Sequence, residues 1–222
     1  MQNADKKIIF DLDGTLYSLG GKPFGTFGES LFLADLKERI LAFVAAELNL
    51  DKAQANRVIK SANRQFNGEL SIGFEKTYGI DRHKFFAATW GCDPANYVTP
   101  DEHLAAGLAD LQGKALLLTA APRIWAEKAL DYLGVAEIFG DNIITGEPDI
   151  RKPNPLVFVQ ATKQLGTDPQ NIISVGDQNH TDIRPARSVG MTTILIGPSQ
   201  QDAHFRANTV RHAINIIKEK LL

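Results

Sequence analysis

Six residues carry groups suited to phosphate chemistry. Asp11 and Asp13 stand two apart in "IIFDLDGTLY", directly after a short apolar run. Thr119 follows "ALLL", Lys152 sits in "RKPNP", and Asp177 and Asp182 share "VGDQNHTD". Carboxylates offer the oxygen ligands that Mg²⁺ prefers. A lysine neutralises phosphate charge, and a hydroxyl with backbone N–H groups orients phosphoryl oxygens. Each residue also has a plain explanation. Asp and Gly make turns, Asp caps helices, and a strand-end Thr or a loop Lys often does nothing. Singly these explanations are preferred for all but the Asp11–Asp13 pair. Chance is a poor account of the whole set in this order. On an extended chain residues i and i+2 point the same way, so Asp11 and Asp13 flank one position while Leu12 turns inward.

The elements that must hold these residues read as alternating strands and helices. Short apolar runs "KIIF", "ALLL", "NIIT", "IISV" and "TTILI" suit strands buried on both faces. "RIWAEKALDYL", "NPLVFVQATKQLG" and "DIRPARSVG" read as helices between them, with Asn154 as N-cap, Pro155 at the first position and Gly134, Gly166 and Gly190 as stops. The pattern predicts an α/β fold with a Rossmann-like, three-layer parallel sheet. In such a sheet ligands bind outside the carboxyl ends of the strands, where all six residues fall.

The stretch 19–95 contains no strand pattern. "LFLADLKERILAFVAAEL" puts Leu33, Leu36, Ile40, Phe43 and Val44 on one helical face. "DKAQANRVIKSANRQF" starts at Asp51 and "DRHKFFAATW" at Asp81, both as N-caps. Residues 1–18 and 96–222 are therefore expected to form the α/β core, and 19–95 an inserted all-helical domain. "GGKPFGTFG" is no phosphate-binding P-loop, because Leu16 and Pro23 occupy positions where that motif needs Gly and Ser or Thr. It reads as a hinge.

The 222 residues are 44% hydrophobic and 23% charged, with a formal net charge of -2. That balance gives no reason to expect a nucleic-acid polymer as partner. A single cysteine, Cys92, cannot make an internal disulfide and fits a reducing compartment. No apolar run approaches a membrane span and the N-terminus has no secretory signal. A cytoplasmic location is expected. Composition says nothing of oligomeric state.

The motifs "DLDGTL", "LLLTA", "RKPNP" and "VGDQNHTD" together resemble those of the haloacid dehalogenase superfamily of Mg²⁺-dependent phosphohydrolases, over the chain from Lys7 to about Gly197. The resemblance implies strand order 3-2-1-4-5 and a helical cap inserted after the first strand. It implies that Asp11 is a nucleophile forming an aspartyl-phosphate, and that Asp13 protonates the leaving oxygen and then activates water. Thr119 and Lys152 would hold the phosphoryl group. Asp11, the backbone carbonyl of Asp13, and Asp177 would bind Mg²⁺, with Asp182 ordering metal waters or Lys152. Ala120 stands where many relatives have Asn. The substrate contact there loses a side-chain donor, while Thr119 and backbone N–H groups remain.

"DLDGTLY", "KTYGI" and "LLLTAAP" look most similar to the pyrimidine 5′-nucleotidase-like subgroup. The expected activity is hydrolysis of a small phosphate monoester, a nucleoside 5′-monophosphate first. A phosphoglycolate or other sugar-phosphate phosphatase and a phosphomutase are the alternatives. A carbon–halogen hydrolase does not need Asp13, because halide leaves without a proton. A receiver-like signalling domain lacks the second acid, and a non-catalytic binding module would be expected to have lost one of these residues. Lys22, Arg57, Arg64 and Lys76 are cations of the insert that would suit a charged leaving group, though solvated helix faces explain them as well.

Overall fold

The computed structural model describes residues 6–18 and 27–221. Most of "GGKPFGTFG", including Lys22, lies outside the described residues. Six strands, β1 (Lys7–Phe10), β2 (Ala115–Leu118), β3 (Ile143–Ile144), β4 (Ile172–Gly176), β5 (Thr192–Ile196) and β6 (Phe205–Ala207), form one sheet in the order β3-β2-β1-β4-β5-β6. Every pairing is parallel. The expected five-strand order is therefore present, and β6 extends it by one. The sequence carries no signal for that strand, because "FRA" offers no apolar run: it pairs on one side only and leaves Phe205 and Arg206 half-exposed.

Among the described residues, the α-helices of the sheet-bearing part are α5 (Leu104–Leu108), α6 (Arg123–Tyr132), α7 (Ala136–Phe139), α8 (Pro155–Leu165), α9 (Arg184–Ser188) and α10 (Val210–Ile216). Ile9, Leu116 and Leu118 face Val157, Phe158 and Ala161 of α8 across one core. Phe10 points the other way and meets Phe139 edge-on at 6.3 Å between ring centres. Successive strand residues thus bury opposite faces, which explains why these strands are apolar throughout rather than alternating.

"DIRPARSVG" is not one α-helix. Asn179–Ile183 forms a π-helical turn, and α9 begins at Arg184. Pro185 in the first turn of α9 has no N–H to close a regular turn behind it, so the backbone widens there.

Gly28–Asp93 forms a second compact unit. Its helices are α1 (Leu31–Glu47), α2 (Lys52–Gln65), α3 (Leu70–Tyr78) and α4 (Arg82–Trp90). Asp51 and Gln54 close a reciprocal capping box, and Asp81 caps the last helix. The first helix buries Phe32, Leu36, Ile40 and Val44. Leu33 and Phe43 are only half-buried, because Phe32, packed on Trp90 at 5.4 Å, turns the apolar stripe by one position. The helix Leu70–Tyr78 went unpredicted. Its Gly73 is a poor helix former, but a Cβ there would stand 2.7 Å from the Phe66 ring, so the glycine admits that ring. No described helix is long and apolar enough to cross a membrane.

Candidate active site

The sheet register brings the site together. Phe10 lies level with Leu117 and with Val175. The residues that follow each of these therefore leave the sheet at one edge: Asp11, Thr119, and Asp177 after Gly176. The Asp11 N–H still donates to the Val175 carbonyl at 2.9 Å, which anchors it before the chain turns over buried Leu12. Gly14 makes that turn with φ +86°, and a Cβ there would stand 2.3 Å from Asp177 Oδ2. Only glycine permits both the backbone conformation and the approach of the carboxylate.

Lys152 is at the centre of the charge arrangement. Its Nζ donates to Asp11 Oδ1 at 2.7 Å and to Asp182 Oδ1 at 2.6 Å, and the residue is only 8% exposed. Thr15 Oγ1 donates to the other Asp11 oxygen at 3.0 Å. Asp182 Oδ2 accepts from the Gln178 N–H at 2.9 Å. A Cβ on Gly176 would lie 2.3 Å from the Asp182 Cβ, so a glycine is needed for Asp182 to reach the lysine. The solvated-loop explanation of Lys152 and the simple capping explanation of Asp182 therefore both fail.

Asp11, Asp177 and Asp182 each present an oxygen within 4.8 Å of the others. Asp177 Oδ1 is buried with no hydrogen-bond partner among the described residues. Three carboxylates against one ammonium leave an excess of negative charge, and an orphaned buried oxygen carries a desolvation cost. A hard divalent cation with oxygen preference fits both deficits. Burial, then Asp182 and Asp13, push the Asp11 carboxyl up to about 7 against the pull of Lys152. Burial, then Asp11 and Asp182, push Asp177 up to about 9. Burial alone would lower Lys152, but Asp11 and Asp182 hold it well above its ordinary value.

The Asp13 carboxylate stands outside that cluster. Tyr17 OH and Trp125 Nε1 both donate to its Oδ1, the latter at 2.9 Å. Burial raises its pKa, and the hydrogen bonds from Tyr17 and Trp125 oppose the rise. Thr119 is buried, and its Oγ1 accepts from the Ala121 N–H at 3.0 Å, which leaves its proton free to donate. Ala120 is exposed beside it. Arg57, Arg64 and Lys76 are exposed on the helical unit.

Sequence reasoning missed Thr15, the Tyr17 hydroxyl and Trp125. Trp125 reads from the sequence as one more apolar position of α6. A usable signal existed, since α6 starts right after the Thr119 segment, and an indole N–H in its first turn stands near the same sheet edge.

The residues 6–190 match the family model of haloacid dehalogenase-like hydrolases. The chain is 27% identical over 201 residues to the glyceraldehyde 3-phosphate phosphatase of Methanopyrus kandleri, covering 86% of this chain and 83% of that one. It is 26% identical over 205 residues to the phosphoglycolate phosphatase of Escherichia coli, covering 84% and 79%. The fold is similar to that of a HAD phosphatase from Thermococcus onnurineus, with a TM-score of 0.63, 22% identity and coverage of 98% and 100%. These relatives give no support to the narrower pyrimidine 5′-nucleotidase-like assignment. With a family match over most of its length, and that family's motifs gathered at one sheet edge, the chain belongs to the haloacid dehalogenase-like hydrolases.

Proposed function

We propose that this protein is a Mg²⁺-dependent phosphatase of small phosphate monoesters, with sugar-phosphate-type or phosphoglycolate-type substrates in preference to nucleotides. The observation that carries the reading is buried Lys152 bridging Asp11 and Asp182 beside the unpartnered oxygen of Asp177, while Asp13 keeps a separate environment. The names of the relatives support a two- or three-carbon phosphate over a nucleoside 5′-monophosphate. In this reading residues 1–18 and 96–222 carry the chemistry, and 19–95 is an inserted helical domain.

Asp11 is the nucleophile. Thr15 and Lys152 hold its two oxygens and so fix the plane of the carboxylate. One Asp11 oxygen forms a bond to phosphorus as the bond from phosphorus to the leaving oxygen breaks. Asp13 gives that oxygen its proton. Asp13 then takes a proton from water, whose oxygen attacks phosphorus and releases inorganic phosphate from Asp11. The Thr119 hydroxyl, the Ala120 backbone N–H and the Lys152 ammonium hold the phosphoryl oxygens. Asp11, Asp177 and the Asp13 backbone carbonyl would hold Mg²⁺, with Asp182 behind them, and the ion would offset phosphoryl charge. A halide leaving group would leave Asp13 without a task.

The test is phosphate release from glyceraldehyde 3-phosphate, 2-phosphoglycolate and nucleoside 5′-monophosphates, with Mg²⁺ and with a chelator. Mg²⁺-dependent turnover of the first two is expected, and Asp11→Asn should lower it by more than about 10³-fold, as loss of a nucleophile does. Equal turnover by Asp11→Asn and wild type, or turnover of nucleotides alone, would sink the respective half of the reading.

A further inference from the structure

We propose that Tyr17 and Trp125 are positioning residues that pin one oxygen of Asp13 and reserve the other for the leaving group and water. The inference rests on the reading of Asp13 as the acid–base group.

The geometry is a closed triangle. Trp125 Nε1 donates to Asp13 Oδ1 at 2.9 Å and also approaches Tyr17 OH at 3.3 Å, and Tyr17 OH donates to the same Oδ1. Tyr17 is 5% exposed and Trp125 1% exposed. A buried hydroxyl and a buried indole N–H each need a partner. Here both find it on one carboxylate oxygen. No other side chain among the described residues bonds Oδ2, and Asp13 as a residue is only half-buried. An indole N–H can donate but never accept. Oδ1 therefore stays an acceptor, and the proton that moves belongs on Oδ2.

The triangle is also rigid. Tyr17 pairs with Asp13 by an isolated backbone bridge, four residues on along the same turn. Tyr97 packs against the Trp125 indole at 6.4 Å and 64°. The indole comes from α6, which begins just past Thr119, so one helix start sets both the phosphate-binding segment and the orientation of Asp13. Asp11 is held by a different pair, Lys152 and Thr15, so the two acids are positioned independently.

The experiment compares Tyr17→Phe, Trp125→Phe and Asp13→Asn, and the double variants of each of the first two with Asp13→Asn. Substrates are an alkyl phosphate and p-nitrophenyl phosphate, whose phenolate leaves without a proton. Tyr17→Phe and Trp125→Phe should each lower kcat for the alkyl ester by about 10- to 100-fold, the scale of a small misplacement of a reacting group. KM should change by less than about threefold. With p-nitrophenyl phosphate the initial burst of nitrophenolate should persist at close to the wild-type rate, followed by slowed turnover. In the Asp13→Asn background neither substitution should cost more. Trp125 is large and buried, so Tyr17→Phe, which keeps the ring and its packing, carries the test if Trp125→Phe does not fold. The proposal is overturned if Tyr17→Phe is silent, if its loss is undiminished beside Asp13→Asn, or if KM absorbs the loss. If Asp13→Asn itself turns over the alkyl ester at the wild-type rate, the acid–base reading fails first and the positioning role falls with it. Those two failures are separable, because the single variant Asp13→Asn reports on the reading alone.

Discussion

Asp11 and Asp177 have folded-state pKa values raised above the ordinary carboxyl value of 3.8, to about 7 and about 9. A raised value means the protein favours the neutral acid. The stability that each contributes is complete below pH 3.8 and is lost as pH rises through the folded value. The metal-free protein should therefore lose thermal stability between about pH 4 and pH 9. Added Mg²⁺ should restore it most at the alkaline end, where both ligands are ionised and cation binding needs no proton release. Thermal melts across that pH range, with Mg²⁺ and with chelator, check this. Melting temperatures that rise with pH in chelator would contradict the burial of unpaired charge at this site. The Asp11–Asp13 spacing was readable because alternation along an extended chain turns residues two apart to one side. Thr15 and Tyr17 were not readable as partners, because their hydroxyls matter only once the turn over Leu12 has folded them back.

The segment 119–121 is shaped by a neighbour on another loop. Gly146, just after β3, donates its N–H to the Ala121 carbonyl at 2.9 Å. A Cβ on Gly146 would stand 1.9 Å from the Ala120 carbonyl oxygen, so the loops after β2 and β3 touch backbone to backbone. Gly146→Ala must push Ala120 away, and Thr119 with it. It should lower kcat by about 10- to 100-fold through lost alignment. Gly134→Ala is the control. Gly134 sits just past α6 at φ +68° with nothing within 4 Å of a built Cβ. An L-residue there costs about 1–2 kcal/mol of backbone strain, and kcat should not change. Urea melts and steady-state rates on both variants separate alignment from stability, and equal rate losses would refute the distinction. Helix ends such as Asn154 and Gly166 were legible, since capping is local chemistry. The meeting of Gly146 with Ala120 joins two loops that only the sheet brings near each other.

The two compact units differ in what they bury. The sheet-bearing unit encloses Ile8, Ile9, Phe10, Leu116, Leu117 and Ile173 at the centre of a six-stranded sheet. In the helical unit Lys52–Gln65 fully buries only Ala55 and Ala62. Buried apolar area supplies most of the stabilisation, and alanine offers little of it. Native-state hydrogen exchange should therefore show two levels of protection. Amides of β1, β2 and β4 should exchange only on global unfolding. Those of Lys52–Gln65 should open at clearly lower free energy. One common protection level throughout would contradict this picture.

Local pattern settled much of this protein. Among the described residues, five of six strands, most helices with their caps and the helical character of 28–93 follow from short-range chemistry, in which a residue's type and its near neighbours decide. Recognisable motifs then supplied the family. What remained depended on contacts between distant segments. The strand "FRA" exists because β5 offers an edge to pair with. The π-turn before α9 reflects Pro185 acting on a carbonyl in the turn before it. Lys152 became a buried bridge only when the sheet brought its loop against Asp11 and Asp182. Trp125 changed from an apolar helix position to a donor on Asp13 for the same reason: a side chain's role is set by what faces it, and that is decided by the fold.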